Sequence, residues 1–467
     1  MNVLVLMCDE MAPKVAWGPP PSTPHLDALA ARGMVFDAAY TPSPICVSTR
    51  AAIATGRPLH EIGCWSSAEP YDGALPSWGQ RLREVGARIC SIGKLHYAPG
   101  GEKAAFDESY EVMNVYGDGW PRALLRKPLS DFNATADFAE EIGPGDTDYL
   151  RFDRRVTAKA VEWLAAPERG SQPWAAFVSW VSPHYPLIAP PEHFERFNPA
   201  EYESDAEKVP AHPILQELAG FFDHDAHFSK ESRGIGRAGY YALWSFIDDQ
   251  VGAVMTALEQ AGQADDTLIL FTSDHGEMLG EKGFWGKSTM YESSARVPLI
   301  AAGPGVVPGR RDDPVSLLDV APTICRAMGA STDGFNGRSL TDAPAPERAV
   351  ISEYHDGGAS VGVTMLRWNE AGEKWKYVHY AEGYAPQLFE LTSDPDELND
   401  LAPQAPERVA AARDRLFAIF DPEDANLRAH ADQARRVEEL GGREAILAQP
   451  EWSFTPTNKE KDMGATP

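Results

Sequence analysis

Five short apolar runs constrain the fold of this chain more than any other feature: NVLVLMC (2–8), RICSIG (88–93), WAAFVSWVS (174–182), TLILFTS (267–273) and VPLIAAG (297–303). Each is nearly continuous rather than alternating, so a strand made from it must be covered on both faces. Between them lie helical patterns, HLDALAARG (25–33), WGQRLREVG (78–86), the segment from about Asp153 to Leu164, and Tyr240 to Ala261. Buried strands separated by amphipathic helices predict an α/β fold with a doubly wound, mainly parallel sheet. Ligands of such sheets gather beyond the carboxyl ends of the strands. The residues expected there are Asp9 and Glu10, Lys94 and His96, His184, and Asp274 with His275. Four strand ends that each carry metal-binding or proton-moving groups are a stronger signal than any one of these residues.

At 467 residues the chain is long enough for two to three units. After Pro346 the texture changes to AVISEYH, VGVTMLRW, KWKYVHY and QLFEL, short alternating runs that predict an antiparallel meander. The expected division is a catalytic α/β domain over 1–345, a smaller antiparallel sheet-and-helix subdomain over 346–420, and a tail over 421–467. The tail holds one amphipathic stretch, ADQARRVEELGGREAIL, which reads as a solvated terminal helix or, alternatively, as a surface for oligomerisation. A formal net charge of -27 argues against nucleic acid or an anionic membrane as partner, since both would be repelled at long range. Attraction of any anionic substrate must therefore be local. Cys8, Cys46, Cys64, Cys90 and Cys325 form no CxxC pair and are odd in number, which fits a reduced compartment. The opening run lacks a basic flank and reads as a first strand rather than a signal peptide. No run approaches the roughly 18 apolar residues that span a bilayer, so the expected location is cytoplasmic.

Asp9 and the pair Asp274–His275 offer the oxygen and nitrogen donors that a divalent cation takes. Any one strand-end aspartate is commonly a cap or turn residue; their joint placement favours metal. In SPICVSTRAAIATGR (43–57), Cys46 precedes an Ala-rich helix with Arg50 one turn in. A helix N-terminus and a guanidinium both favour an anion, and both predict a lowered thiol pKa. A buried cysteine beside a helix start is the other reading of the same residues.

CVSTR followed by AAIATGR resembles the C-x-P-S-R and T-G-R signature of the type I sulfatases and their phosphonate monoester hydrolase relatives, in the alkaline phosphatase superfamily. DEM (9–11), TPHLDALAARG (23–33), GKLH (93–96), SPHYPLIAPPE (182–192), SDHGEMLGEKGFWGKSTMYE (273–292) and QLFELTSDPDELNDL (387–401) resemble further blocks in the family's order. The resemblance implies that Cys46 is converted to formylglycine, whose hydrate attacks sulfur or phosphorus. It implies one divalent metal ion, Ca2+ or Mn2+, on Asp9, Asp274, His275 and the oxygen of modified Cys46. Arg50 and Lys94 would stabilise the nucleophile, His96 would act as base, and His184 and Lys287 would face the leaving oxygen.

Two departures bear on these roles. Ser48 and Thr49 stand where the family has proline and serine, which puts the modification in question and leaves a thiolate, Ser48 or Thr49 as other nucleophiles. Ser67 falls where the phosphonate monoester hydrolases have a substrate-facing asparagine, and its hydroxyl can donate one hydrogen bond with shorter reach. Glu10 takes the place of a second metal-binding aspartate. The implied activity is hydrolysis of a small-molecule sulfate ester, with phosphonate monoesters or phosphodiesters as the alternative substrates. If Cys46 stays unmodified, an anion-binding homologue without turnover is a further alternative. Tyr185, Trp65, Glu69, Trp285 and Tyr291 lie close in sequence to the site and would suit a cationic alcohol through cation–π attraction. A homo-oligomer is expected from the family.

Overall fold

Asn2–Cys8, the first apolar run, lies inside an eight-stranded sheet with Trp174–Ser179 on one side and Thr267–Ser273 on the other, both parallel to it. The computed structural model describes residues 1–13, 17–132, 134–166 and 172–449. Arg88–Lys94 pairs parallel with Trp174–Ser179, and Glu108–Met113 forms that edge. On the far side Leu299–Ala302 runs antiparallel to Thr267–Ser273 and to Gly33–Phe36, and Gly309–Arg311 completes the sheet. The doubly wound, mainly parallel sheet is therefore present, with one antiparallel strand.

The continuous apolar character of the first run has a direct cause. Leu4, Leu6 and Cys8 enter the core beneath the helices Asp148–Ala165 and Lys230–Gln260, whereas Val3, Val5 and Met7 enter the core on the other face with the helices Cys46–Thr55, Trp78–Glu84 and Val320–Ala327. Every residue of the strand is buried. A fully buried aliphatic side chain of this kind contributes about 1.5–3 kcal/mol.

The helix expected from Tyr240 begins ten residues earlier, at Lys230, where Ser229 and Ser232 form a reciprocal cap. Its first turns contain Gly234, Gly236, Gly239 and two arginines, which disguise the pattern. Gly239 is needed because a Cβ there would lie 2.2 Å from the Leu187 carbonyl oxygen. Arg237 is fully buried and donates to the carbonyls of Leu279 (2.9 Å) and Tyr202 (2.8 Å).

The antiparallel meander is formed by Ala349–Tyr354, Val363–Glu370, Glu373–Tyr380 and Gln387–Glu390. Lys376, wholly buried, ties it to the core through Glu292 (2.6 Å), Glu397 (2.8 Å) and the Met290 carbonyl (2.9 Å). All five cysteines are free. Among the described residues no helix is long and apolar enough to cross a membrane.

Of the segment expected to form a tail, Pro422–Glu439 is a helix packed on its own chain through Ala425, Asn426, Ala429 and Gln433; residues 450–467 lie outside the described residues. Gln433 Nε2 donates to the His355 carbonyl at 2.7 Å, and its Oε1 accepts from Arg126 at 3.2 Å. Gln433→Leu removes both partners at a site 1% exposed. The expected cost is about 2–3 kcal/mol, because a buried guanidinium and a carbonyl lose their bonds together. Urea unfolding checks this; a change below about 0.5 kcal/mol contradicts it.

Candidate active site

The polar residues after the strands converge. Asp9 and Asp274 follow neighbouring parallel strands and are fully buried. Arg50, one turn into the helix Cys46–Thr55, lies between them: Nε donates to Asp274 Oδ2 at 2.8 Å and Nη2 to Asp9 Oδ2 at 3.2 Å. Nη1 donates to the Lys94 carbonyl (2.6 Å) and to Ser179 Oγ (2.9 Å), so this one side chain joins four strand ends. Lys94 Nζ lies 2.5 Å from Asp9 Oδ2. Burial opposes ionisation of Asp9, but Lys94, His184 and Arg50 outweigh it and hold the carboxyl well below the usual range. Gly93 permits this delivery, since it has φ +108° and a Cβ there would sit 2.0 Å from the Ser179 carbonyl.

Cys46 Sγ lies 3.2 Å from both His275 Nε2 and Lys287 Nζ. The thiol is pushed up to about 12 by burial first and Asp9 second. The lowered pKa expected from the helix terminus and Arg50 is therefore not found: with the residue 4% exposed, loss of hydration outweighs the terminus. Ser48 and Thr49 do not line the cavity in front of Cys46. Ser48 is fully buried, and Thr49 Oγ1 bonds the Ser43 carbonyl and Thr41.

Three residues other than glycine stand with left-handed backbone at the site, Glu10 (φ 65°), His96 (φ 56°) and Ser288 (φ 80°). Such strain in residues other than glycine is held in place by its surroundings and clusters at functional sites. His96 is buried and lines the cavity, its imidazole pushed well down by burial and by Lys94 and Arg50. The loop bearing His184 is pinned by Asp153, which accepts from Val181 N (2.7 Å) and Ser182 N (2.9 Å). His184 Nδ1 donates to the Tyr185 carbonyl at 2.7 Å, leaving Nε2 to accept from Lys287 Nζ at 3.0 Å. Glu277 shapes the loop that presents Lys287, accepting from Leu279 N (2.8 Å) and Gly286 N (2.7 Å).

Ligand atoms of Asp9, Cys46, Asp274 and His275 all lie within 4.8 Å of one another. Two features fit a cation. Asp9 Oδ1 is buried with no hydrogen-bond partner among the described residues. His275 Nδ1 donates to the Gly276 carbonyl (3.0 Å), which leaves the Nε2 lone pair facing the carboxylates, 3.8 Å from each. Asp9 and Asp274 supply hard oxygen donors and His275 a borderline nitrogen, with the Cys46 sulfur as the fourth atom of the group. Glu10 is outside this group; its carboxylate faces Lys287 (3.4 Å) and His184 (3.6 Å) instead.

A cavity of about 610 Å³ opens in front of Cys46. Ser67, Tyr185 and Trp285 line it; Trp65, Glu69 and Tyr291 do not. Trp65 instead donates to Asp432 at 3.0 Å, and Tyr291 accepts from Gln387 at 3.3 Å. Sequence reasoning missed Trp120, Phe138, Glu141, His224 and Asp356, which complete the wall. They come from irregular segments far from the recognisable blocks, and only the polar step EYHDGG after a strand could have signalled Asp356.

The family model described as Sulfatase matches residues 1–330, and one described as N-sulphoglucosamine sulphohydrolase, C-terminal, matches residues 280–416. Choline-sulfatase of Rhizobium meliloti (strain 1021) is 31% identical, with 93% of this chain and 90% of that protein covered. Arylsulfatase K of Danio rerio is 30% identical, covering 90% and 84%. The solved phosphonate monoester hydrolase of Agrobacterium radiobacter matches at TM-score 0.73 and 21% identity over 89% of this chain and 95% of that one, a likeness of fold. Fold and site together define a hydrolase of the alkaline phosphatase superfamily. Within it, the chain belongs to the sulfatase family.

Proposed function

We propose that the protein hydrolyses sulfate monoesters of a small molecule at Cys46, after conversion of that residue to formylglycine. The observation that supports this most is the position of Cys46, between the carboxylate–imidazole donor set on one side and Lys287 on the other, at the head of the cavity. A thiol held near 12 is a poor nucleophile at neutral pH, which favours the modified residue over the thiolate.

Asp9, Asp274 and His275 would hold one divalent cation, Ca2+ or Mn2+, with the oxygen at position 46. When present, that ion and the hydrated aldehyde would supply Lewis-acid charge and a nucleophilic oxygen. The chain's own residues account for the remaining steps. Arg50 and Lys94 place fixed positive charge beside the reacting group, where negative charge gathers in the transition state. Lys287 donates to His184, and the two keep a transferable proton on the leaving-oxygen side. His96, kept neutral by burial, is suited to accept the proton whose removal releases sulfate.

Matched sulfate, phosphonate and phosphodiester aryl esters test the reading on metal-loaded protein. The sulfate ester is expected to show the highest kcat/KM, by at least about tenfold, a transition-state preference of about 1.4 kcal/mol. A phosphodiester preference by orders of magnitude would sink it in favour of the phosphonate monoester hydrolase reading. Tight anion binding with no turnover of any ester would leave a non-catalytic homologue.

A further inference from the structure

The cavity in front of Cys46 has a polarity that cleavage of a sulfate ester does not require. Among the described residues bordering it are five carboxyl groups, Glu10, Asp137, Glu141, Asp148 and Asp356, against one ammonium, Lys287, and burial pushes Glu10 up to about 7 and Asp356 above its ordinary range.

At Ser67 and Asp356 the hydrogen-bonding sense is one-sided. Ser67 Oγ donates its only proton to Asp356 Oδ2 at 2.6 Å, and Ser67 N adds a second bond at 3.2 Å. Asp356 Oδ1 accepts from Gly357 N at 2.7 Å. With its proton committed, the Ser67 hydroxyl can only accept from a ligand, and so can the carboxylate behind it. At the rim the Tyr185 hydroxyl is likewise given to Glu141. Flat apolar faces complete the wall: Phe138 stacks on Tyr185 at 4.3 Å between centroids and lies 4.4 Å from His224.

We propose that the leaving alcohol is a bulky aromatic or apolar one bearing a protonated primary or secondary amine, whose N–H groups are donated to the Ser67–Asp356 wall. This rests on the sulfate-ester reading above. Acceptors backed by a carboxylate form charge-assisted bonds with an ammonium N–H. A quaternary ammonium has no N–H to give, and a choline-sized group would leave most of about 610 Å³ empty, a volume that suits a drug-sized ligand. A polyanionic glycan would bring further negative charge against five carboxyl groups and gain no donor from Ser67.

The test is a substrate series on the full-length, metal-loaded protein: tyramine sulfate, its trimethylammonium analogue, para-ethylphenyl sulfate, para-(carboxyethyl)phenyl sulfate and choline sulfate. Tyramine sulfate is expected to exceed the neutral ethyl ester in kcat/KM by at least about tenfold and the trimethyl analogue by about threefold or more, with the carboxylate ester lowest. In D356N the amine-to-neutral ratio is expected to collapse to within about threefold, whatever happens to each rate. Neutral or anionic esters cleaved as well as the amine, or a trimethyl analogue that matches it, overturn the proposal. Calorimetry with tyramine against para-ethylphenol supplies a readout free of turnover. If no sulfate ester is cleaved but tyramine binds at least about tenfold tighter, the sulfatase reading fails and the amine site stands. Equal binding of the two phenols removes the amine site even if sulfate esters are hydrolysed.

Discussion

Replacing Cys46 with alanine is expected to lower kcat for every sulfate ester by at least about 10⁴-fold, the scale on which loss of a covalent nucleophile is felt. The remaining groups keep their places, because Arg50, Lys94, His184 and Lys287 are held by partners other than the sulfur. Substrate binding should therefore change far less than turnover. Peptide mass spectrometry of the segment around Cys46, on protein from a host with a maturation enzyme, is the companion measurement. Formylglycine at that position, despite Ser48, establishes the modified nucleophile. Undiminished turnover in C46A would falsify the assignment outright.

The second large effect is on stability. Arg50→Leu strands the fully buried Asp274 without its ion-pair partner, leaves Asp9 only Lys94, and deprives the Lys94 carbonyl and Ser179 of their donor. Removing one member of a buried ion pair costs about 3–5 kcal/mol, since the stranded charge remains in a poorly hydrated place. A saturating divalent cation should recover part of this, because an ion that binds only the folded state stabilises by mass action. Urea unfolding with and without millimolar Mn2+ reads both effects. A loss under about 1 kcal/mol in metal-free protein would mean that Arg50 is not what reconciles the two carboxylates.

How much of this was legible in the chain depended on where the signal was local. The runs of Asn2–Cys8 and Thr267–Ser273 announce strands covered on both sides, and the residues just after them, Asp9 and Asp274, are brought together on Arg50. The family blocks lead to the same side chains, from Asp9 to Lys287. What escaped depends on contacts between distant segments. Ser67 could be named, but its proton goes to Asp356, 289 positions later, and that reverses its expected behaviour from donor to acceptor. The thiol of Cys46 has a favourable helix start in sequence, yet burial decides its ionisation. Trp65 and Tyr291 carry the right chemistry at the right sequence distance and still pack elsewhere.

The helix Pro422–Glu439 begins beyond the last residue matched by either family model, yet its Gln433 grips the carbonyl of His355, the residue before Asp356. The cavity wall is thus braced from behind by a segment that neither family model matches. A substitution at Gln433 can shift that wall without touching any of the residues proposed to act on the ester. For an engineer this makes the far end of the chain a tuning handle for selectivity.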